Sequence, residues 1–441
     1  MLEKLFHLKE NKTNLRTEAI SGTTTFLAMA YILVVNPAIL SATGMDSDAV
    51  FVATALSAVI GTLIMAFMAN LPVALAPGMG MNAFFAYGVV IVMGYTWQQA
   101  LAGIFISGVL FICLSVSGVR EKIIKAIPQS LRAAVAVGIG FFIAFVGLKN
   151  SGLIVASEAT FVTFGNLGDP AVILTVVGLV ITLVLMVKKI PAAIFIGLVG
   201  TTVIGMVAGI VPMPTAVFGA IPSLDGTFGA VFEAIPTVFT WQFIPIIFAF
   251  LFVDFFDTAG TLLAVTKRAG LVDEEGNVKN MGRAMFGDAI ATTIGAVLGT
   301  SSVTSFVESL TGVEVGGRTG LSAVFTALCF LLSLFFAPLI ITIAQVPAIT
   351  APALILVGAL MVESLRDVDF SDEPVVIGTF FIIIFMLLTY SIAKGIAIGF
   401  IFYTIAMVAK GRYREIPVLL WVLDIIFIAN FVVGVIFGIS V

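Results

Sequence analysis

Long apolar runs separated by short polar turns make up almost the whole chain. A run of about 20 residues is long enough for an α-helix to cross a hydrocarbon layer of ~30 Å, whereas barrel strands would show short alternating patterns. The pattern therefore predicts an all-α polytopic membrane protein. The predicted transmembrane segments are 17–40, 49–69, 74–93, 98–117, 131–149, 170–187, 191–211, 241–266, 284–299, 301–316, 319–343, 348–364, 374–392 and 394–410.

The composition agrees with this prediction, because 60% of the 441 residues are hydrophobic and 10% are charged. The polar first sixteen residues lead into "GTTTFLAMAYILVVNP", which has no cleavage pattern, so we expect the N-terminus to be retained. His7 is the only histidine, and Cys113 and Cys329 stand isolated inside apolar runs. These residues define neither a disulfide framework nor a metal site.

The distribution of basic residues gives the orientation. With the N-terminus in the cytoplasm of a cell-membrane protein, the 21 Lys and Arg residues all fall inside except Lys149 and Lys394. This agreement supports fourteen spans. A further apolar segment, 417–438, is either a fifteenth crossing or an interfacial helix, and Asp424 argues against a simple lipid-facing span.

The two halves of the chain resemble each other in order. "DPAVILTVVGLVITLVL" from Asp169 matches "EPVVIGTFFIIIFMLLT" from Glu373, and "ATALSAVIGTLIMAF" from Ala53 matches "GDAIATTIGAVLGT" from Gly287. Seven spans in each copy is an odd number, so the second copy enters the membrane from the opposite side. An inverted repeat with matching interrupted segments is typical of a secondary transporter whose site lies at the midplane.

Each copy has one interrupted segment. In "PVALAPGMGMNAFFAYG", residues 72–88, Pro77, Gly78 and Gly80 predict a short extended piece that leads into a half-helix. In "GTSSVTSFVESLTG", residues 299–312, hydroxyls replace the glycines. We expect the N-terminal amides of both half-helices to face the midplane and to donate to a carbonyl or anionic ligand. A simple kink between packed helices is the alternative interpretation.

Four acidic residues stand out inside predicted spans, where a charge costs at least ~2.5 kcal/mol. Asp254 and Asp257 lie three residues apart and could share protonation, whereas Asp288 could serve only to cap a helix or pair with Arg283. Glu308 lies in the second interrupted segment. We expect no intramembrane Lys or Arg to neutralise Asp257 and Glu308, so a proton or another cation must. This predicts a proton-coupled carrier.

The motifs "TTFLAMAYILVVNP", "APGMGMNAFFAY", "VDFFDTAGTL" and "GTSSVTSFVESLTGVEVGGRTGLSAV" resemble those of the azaguanine-type guanine/hypoxanthine permeases, a branch of the nucleobase:cation symporter-2 superfamily. The resemblance covers residue 15 to about residue 410. It implies a seven-plus-seven inverted repeat with short strands in spans 3 and 10, and elevator-like purine–proton symport. The Gln-His pair of the wider superfamily is missing from span 1, as in the purine-only branch.

The resemblance also implies a domain division and a site. The core domain would comprise 17–130 and 241–345, the gate domain 131–240 and 346–411, with a cytoplasmic N-terminus at 1–16 and an extra apolar segment at 412–441. Asp257 and Glu308 align with the substrate-binding acids and Asn82 with the polar contact. Asp257, Glu308 and Asp254 are the candidates for proton coupling, and the expected substrate contacts are Asp257, Glu308, Asn82, Gly78, Thr258, Ser305 and Phe306.

Hydrogen-bonding chemistry favours a 6-oxopurine as the substrate. Guanine presents N1–H and its exocyclic amine side by side to a carboxylate, and hypoxanthine keeps N1–H and O6, whereas adenine presents an acceptor at N1. An adenine permease of the same branch remains an alternative. So does an anion transporter of the same fold, although two carboxylates disfavour an anion.

A membrane enzyme would need a His, Cys or metal cluster within the spans, and the sequence offers none. The protein is therefore predicted not to be an enzyme. We expect no cofactor besides the coupling proton and no nucleic-acid partner. The superfamily resemblance implies a homodimer formed through the gate domain.

Overall fold

The computed structural model describes residues 2–116, 127–272, 278 and 280–437. Residues 120–125, whose basic side chains contribute to the orientation argument, lie outside this part of the chain. The helices are α1 Leu2–Phe6, α2 Leu15–Met29, α3 Ile32–Ser41, α4 Ser47–Met68, α5 Met79–Ala83, α6 Trp97–Val116, α7 Gln129–Asn150, α8 Pro170–Val187, α9 Ala193–Val207, α10 Val231–Ala234, α11 Ile244–Ala269, α12 Met281–Leu298, α13 Ser309–Glu314, α14 Gly320–Ser333, α15 Ala337–Ala344, α16 Pro347–Met361, α17 Glu373–Leu388, α18 Ile392–Ala409 and α19 Val418–Phe437.

The prediction of a helical membrane protein is confirmed. Nine helical stretches among the described residues are long and apolar enough to span a membrane, and four shorter apolar helices accompany them. The predicted first span corresponds to one apolar helical stretch, Leu15–Thr43, whose regular hydrogen bonding is interrupted at Ala30 and Tyr31, between α2 and α3. The predicted eleventh span is also interrupted, because a 3₁₀ turn, Leu334–Phe336, separates α14 from α15. The count of fourteen spans stays a prediction.

The two interrupted segments meet in the centre of the molecule. Strand β1, Leu75–Pro77, pairs antiparallel with β4, Val303–Ser305, and all six residues are buried. The ladder continues at both ends, where the Gly78 N–H donates to the Ser302 carbonyl and the Phe306 N–H to the Ala74 carbonyl, both at 2.9 Å. Because these backbone groups satisfy one another, irregular chain is stable at this depth. The predicted short strands in spans 3 and 10 are confirmed.

Gly80 has a different role from the predicted one. The helix already begins at Met79, so the interruption ends at Gly78 and Gly80 lies within α5. A Cβ atom on Gly80 would come within 2.5 Å of Ile139 Cγ2 in α7. Glycine is therefore needed here for a close approach of two helices and not to break one. After α5 the chain continues as a π-helix, Phe84–Val92.

The second half-helix, α13, differs from the expectation that it would present free amides. At the start of α13, the N–H groups of Ser309, Leu310 and Thr311 each donate to the carbonyl three residues earlier. These amides are already bonded within the turn, so α13 offers fewer donors than a free N-terminus would.

A second sheet lies away from this crossing. Strand β2, Ile154–Ser157, pairs with β3, Phe161–Phe164, in an antiparallel hairpin after α7.

Helix packing is most extensive inside two sets of elements. In the first set, α12 packs on α4 and α6, and α14 packs on α2 and α4. In the second, α7 packs on α16 and α17, α8 on α9 and α16, and α17 on α18. Thinner contacts join the sets, including α3 with α16, α5 with α7, and α11 with α18. The domain boundaries drawn from the sequence stay a prediction.

Asp424 lies in α19 and is 3% exposed. Its carboxylate accepts a hydrogen bond from the Thr404 hydroxyl of α18 at 2.5 Å. Asp424 itself therefore faces α18 and not the outside of the bundle. Whether 417–438 is a crossing or an interfacial helix stays open.

Candidate functional site

Asp257 lies at the start of an open stripe on α11. Asp257, Gly260, Ala264 and Lys267 are exposed and recur at helical spacing, whereas no residue from Phe243 to Phe256 is exposed. The stripe runs toward Lys267 and Arg268, the end of the bundle that the charge pattern assigns to the cytoplasm. We call it the inner end, and the opposite end the outer end. Asp257 thus lies near the middle of α11, at the end of the stripe that is farthest from Lys267.

Glu308 lies at the start of α13, three residues after β4, and its side chain is half-buried. One carboxylate oxygen, Oε1, accepts a hydrogen bond of 2.5 Å from the Tyr31 hydroxyl. Tyr31 occupies the break between α2 and α3, so the interruption of the first span places its side chain against the second interrupted segment. A hydroxyl that donates to a carboxylate fixes the orientation of that group.

A chain of hydroxyls connects Asp257 with the buried Asp288. Thr304 Oγ1 lies 3.4 Å from Asp257 Oδ2 and 2.9 Å from Thr258 Oγ1, and Thr258 donates to Asp288 Oδ2 at 2.8 Å. Ser305 donates to the other oxygen of Asp288 at 3.0 Å. Because a hydroxyl carries a single proton, Thr304 donates either to Asp257 or to Thr258. The state of the open carboxylate is therefore linked to the hydrogen bonding of the buried one.

The expected pairing of Asp288 with Arg283 is wrong. Asp288 is fully buried and accepts hydrogen bonds from two hydroxyls, whereas Arg283 is exposed. Five residues along a helix correspond to about 140° of rotation, so the two side chains point in different directions.

Asp254 faces different surroundings from Asp257. It is 1% exposed, and its Oδ2 accepts a hydrogen bond from Thr292 at 2.9 Å. Its Oδ1 has no hydrogen-bond partner within the described part of the chain. Asp254 thus lies in the protein interior behind β4, and Asp257 at the open stripe.

The other predicted contact residues are buried around the strand crossing. Asn82 accepts a short hydrogen bond from the Ser301 hydroxyl, and its Nδ2 has no hydrogen-bond partner among the described residues. The backbone N–H groups of Gly78 and Phe306 are used in the ladder between the two segments. Thr258 and Ser305 both donate to Asp288. The structure therefore brings the predicted residues together, with Asp257 and Glu308 more accessible than the rest.

Arg132 lies near the site, although the sequence argument expects no intramembrane cation there. Its guanidinium carbon is 5.5 Å from the centre of the Phe256 ring, and Phe256 directly precedes Asp257. Arg132 Nε is buried without a hydrogen-bond partner in the described chain. The signal in the sequence is a basic residue in the first turn of the predicted fifth span. Because Arg132 lies at the very end of that span, the expectation that no cation neutralises the acids within the membrane stays a prediction.

Comparison with known proteins gives concordant results. Residues 16–398 match the permease family Xan_ur_permease. The chain is 48% identical to the guanine/hypoxanthine permease PbuG of Bacillus subtilis (strain 168), over 98% of this chain and 99% of the relative. It is 44% identical to the adenine permease AdeP of Escherichia coli (strain K12), over 97% and 96% of the two chains.

Among solved structures, the transmembrane domain of the cyanobacterial bicarbonate transporter BicA superposes with a TM-score of 0.61 at 17% identity, covering 86% of this chain and 97% of that one. At this identity the match supports the fold alone. It agrees with the mostly helical fold described above.

Proposed function

Because the chain belongs to the permease family Xan_ur_permease, and so to a family of transporters and not of enzymes, we propose that it imports purine nucleobases together with protons. The proposed substrates are guanine and hypoxanthine. The proton is the only coupling ion, and no cofactor takes part.

The observation that carries this proposal is the pair of accessible carboxylates at the strand crossing. Asp257 is exposed and Glu308 is half-buried. Thr304 of β4 donates to Asp257, and Glu308 follows β4 in the chain, so β4 connects the two acids. Carboxylates that reach an otherwise apolar centre accept hydrogen bonds from the N–H groups of a heterocycle. The same groups bind and release a proton as access alternates.

The substrate preference follows from donor and acceptor positions. Guanine and hypoxanthine offer N1–H to a carboxylate, whereas adenine offers an acceptor at N1. The similarity to PbuG supports a 6-oxopurine, and the 44% identity to AdeP supports adenine as the second candidate. The carboxylates favour the first.

An anion is the third candidate substrate, because the fold is shared with a bicarbonate transporter. The open stripe at the site begins with a carboxylate, and Glu308 lies on the neighbouring segment. Like charges disfavour an anion at this position. The single positive charge of Arg132, which lies against the Phe256 ring, is outnumbered by the two carboxylates.

We propose a route for the coupling proton through the hydroxyl chain. Protonation of Asp257 frees the Thr304 hydroxyl to donate to Thr258, and Thr258 already donates to Asp288. Asp254, the remaining candidate, has one unbonded oxygen in the interior. In this route the Asp257 proton passes to Thr304 as the Thr304 proton passes to Thr258 and the Thr258 proton to Asp288, so that one proton leaves Asp257 and one reaches Asp288.

The proposed transport step moves one packing set against the other. The set that contains α4, α11, α12 and the strands β1 and β4 corresponds to the core domain. The set built on α7, α16 and α17 corresponds to the gate domain. Thin contacts between them favour a rigid-body displacement over internal rearrangement.

We place the protein in the cell membrane with its N-terminus in the cytoplasm, as a homodimer joined through the gate domain.

The direct test compares binding and accumulation in two isosteric variants. We expect Asp257→Asn and Glu308→Gln to separate the two activities, so that one variant retains purine binding and loses accumulation against a gradient. Binding is measured on the purified protein and accumulation in intact cells. Glu314→Gln, which alters an exposed carboxylate paired with Arg268, is the matched control and should behave as the parent does. Parental behaviour of both site variants contradicts the assignment.

Substrate preference is tested separately. Uptake of labelled hypoxanthine is measured with an excess of guanine, adenine, xanthine or uracil. Guanine should compete strongly and uracil should not. If adenine is the sole strong competitor, adenine is the substrate instead of guanine and hypoxanthine.

A further inference from the structure

A pocket at the outer end of the bundle lies apart from the two accessible carboxylates. It has a volume of about 260 Å³ and is lined by the ends of α3 and α7, the π-helix, and the junction of α15 and α16. Asp257 and Glu308 are not among its lining residues. The polar groups that line it are Ser41, Tyr87, Asn150, Gln345 and Thr350.

The lining suits a neutral, planar molecule with hydrogen-bonding edges. None of the lining residues carries a formal charge at neutral pH, so the pocket offers no counterion to an anion or a cation. The Asn150 and Gln345 amides each provide donors and an acceptor, the arrangement that pairs with the alternating donors and acceptors of a purine edge. Pockets for drug-sized ligands measure about 300–1,000 Å³, so this smaller space fits a single heterocycle.

A hydrogen bond joins two lining residues of the pocket on the side of the π-helix. Asn150 Nδ2 donates to the Tyr87 hydroxyl at 2.6 Å, and Tyr87 is 5% exposed. Tyr87 follows the half-helix α5, whereas Asn150 is the last residue of α7. This bond therefore joins the two packing sets at the end of the bundle opposite to the open stripe.

The Tyr390 ring supports the same contact. It lies edge-to-face with Tyr87 at 6.1 Å between ring centres, with Phe142 at 5.2 Å, and below the Lys149 ammonium group at 5.1 Å. Tyr390 has a φ of 55°, an uncommon left-handed conformation for a bulky residue. The surrounding rings hold it there.

We propose that the outer pocket is an external binding site for the incoming purine, and that the Tyr87–Asn150 hydrogen bond closes its route to Asp257 and Glu308. This inference rests on the proposed function. The base docks against Asn150 and Gln345, and access to the carboxylates follows when the two packing sets separate at this end.

The test uses the full chain reconstituted in liposomes, with labelled hypoxanthine supplied on the outer face. Gln345 is exposed, so Gln345→Ala should not affect folding. Loss of one neutral hydrogen bond should raise KM for uptake about fivefold and leave the maximum rate unchanged. Equilibrium binding to the detergent-solubilised protein should stay at the parental value, because the carboxylates are intact.

Tyr87→Phe should change the maximum rate and leave equilibrium binding unchanged.

Gln99→Ala is the matched control, because Gln99 lies at the same end and bonds to Thr237 away from the pocket. It should keep the parental KM. A parental KM for Gln345→Ala refutes the external site, and so does an equal change in KM and equilibrium binding. If the parent itself takes up no purine, the proposed function fails instead, so the two failures are distinguishable.

Discussion

The bond between Tyr31 and Glu308 joins two parts of the chain that are 277 residues apart. Glu308 is half-buried at the start of α13, where the turn uses its own amides. The Tyr31 hydroxyl is therefore the one side-chain donor that the described structure gives this carboxylate. This contact positions Glu308 for a ligand.

We predict that Tyr31→Phe weakens transport without unfolding the protein. A hydrogen bond to a charged group contributes about 1.5–3 kcal/mol, so KM for hypoxanthine should rise about tenfold or more. Saturation kinetics of uptake measure this effect. Tyr403→Phe, at a buried tyrosine of α18 away from the site, should leave KM unchanged. Equal KM values for Tyr31→Phe and the parent contradict the positioning role.

The sequence identifies the acids of the site more readily than their partners. A carboxylate inside an apolar run is costly and stands out by itself, which is why Asp257 and Glu308 can be predicted. Tyr31, Thr304 and Arg132 are ordinary residues in their own segments. Their contacts with the acids depend on how distant segments pack, and no local pattern encodes that.

The crossing of β1 and β4 requires closely approaching elements on both sides. α5 is pressed against α7, with Gly80 facing Ile139, so side-chain volume at this position controls the contact between the two packing sets. An additional methyl group in a packed interface forces neighbouring atoms to shift, at a cost of about 1–3 kcal/mol.

We predict that Gly80→Ala reduces both thermal stability and uptake, and that Ile139→Ala lowers stability less in that chain than it does in the parent. The reason is steric, since Ile139→Ala removes Cγ2, the atom that the new Cβ would meet at 2.5 Å. Melting temperature and initial uptake rate are the measurements. Gly200→Ala in α9, where a Cβ meets nothing within 4 Å, is the control and should be neutral or slightly stabilising. Equal losses of stability from Ile139→Ala in the two chains contradict this explanation.

Element boundaries follow from hydropathy where a helix is continuous, as in α8, which matches the predicted span 170–187. The break at Ala30 and Tyr31 lies in an unbroken apolar run. Neither residue of the break is a proline or a glycine, so the break could not be predicted from the sequence. Tertiary packing around Tyr31 and Glu308 accompanies this break, and sequence periodicity does not report such packing.

At the scale of the whole molecule, access to the site is one-sided. The open stripe of α11 leads from Asp257 to Lys267, whereas the outer end is closed by Tyr87, Asn150 and Tyr390. Under the proposed function, this pattern corresponds to a carrier that is open at its inner end. Alternating access requires a second state with the opposite pattern.

We predict that a cysteine at position 264 is reached from the cytoplasmic side. In a background with Cys113→Ser and Cys329→Ala, Ala264→Cys should react with a membrane-impermeant maleimide in inside-out vesicles and much less in right-side-out vesicles. Hypoxanthine should slow the reaction. Ala249→Cys, at a buried position of the same helix, should not react from either side. Labelling of position 264 from the outer side alone contradicts the assigned orientation.

The measurement that tests the central claim most directly is proton movement driven by a purine. Liposomes containing the protein and an internal pH indicator receive hypoxanthine outside, with no imposed gradient. We predict that the interior becomes acidic as the base enters. At least one of the single variants Asp257→Asn and Glu308→Gln should abolish this signal. Purine uptake that occurs without internal acidification, at a rate unaffected by a protonophore, would contradict proton-coupled transport.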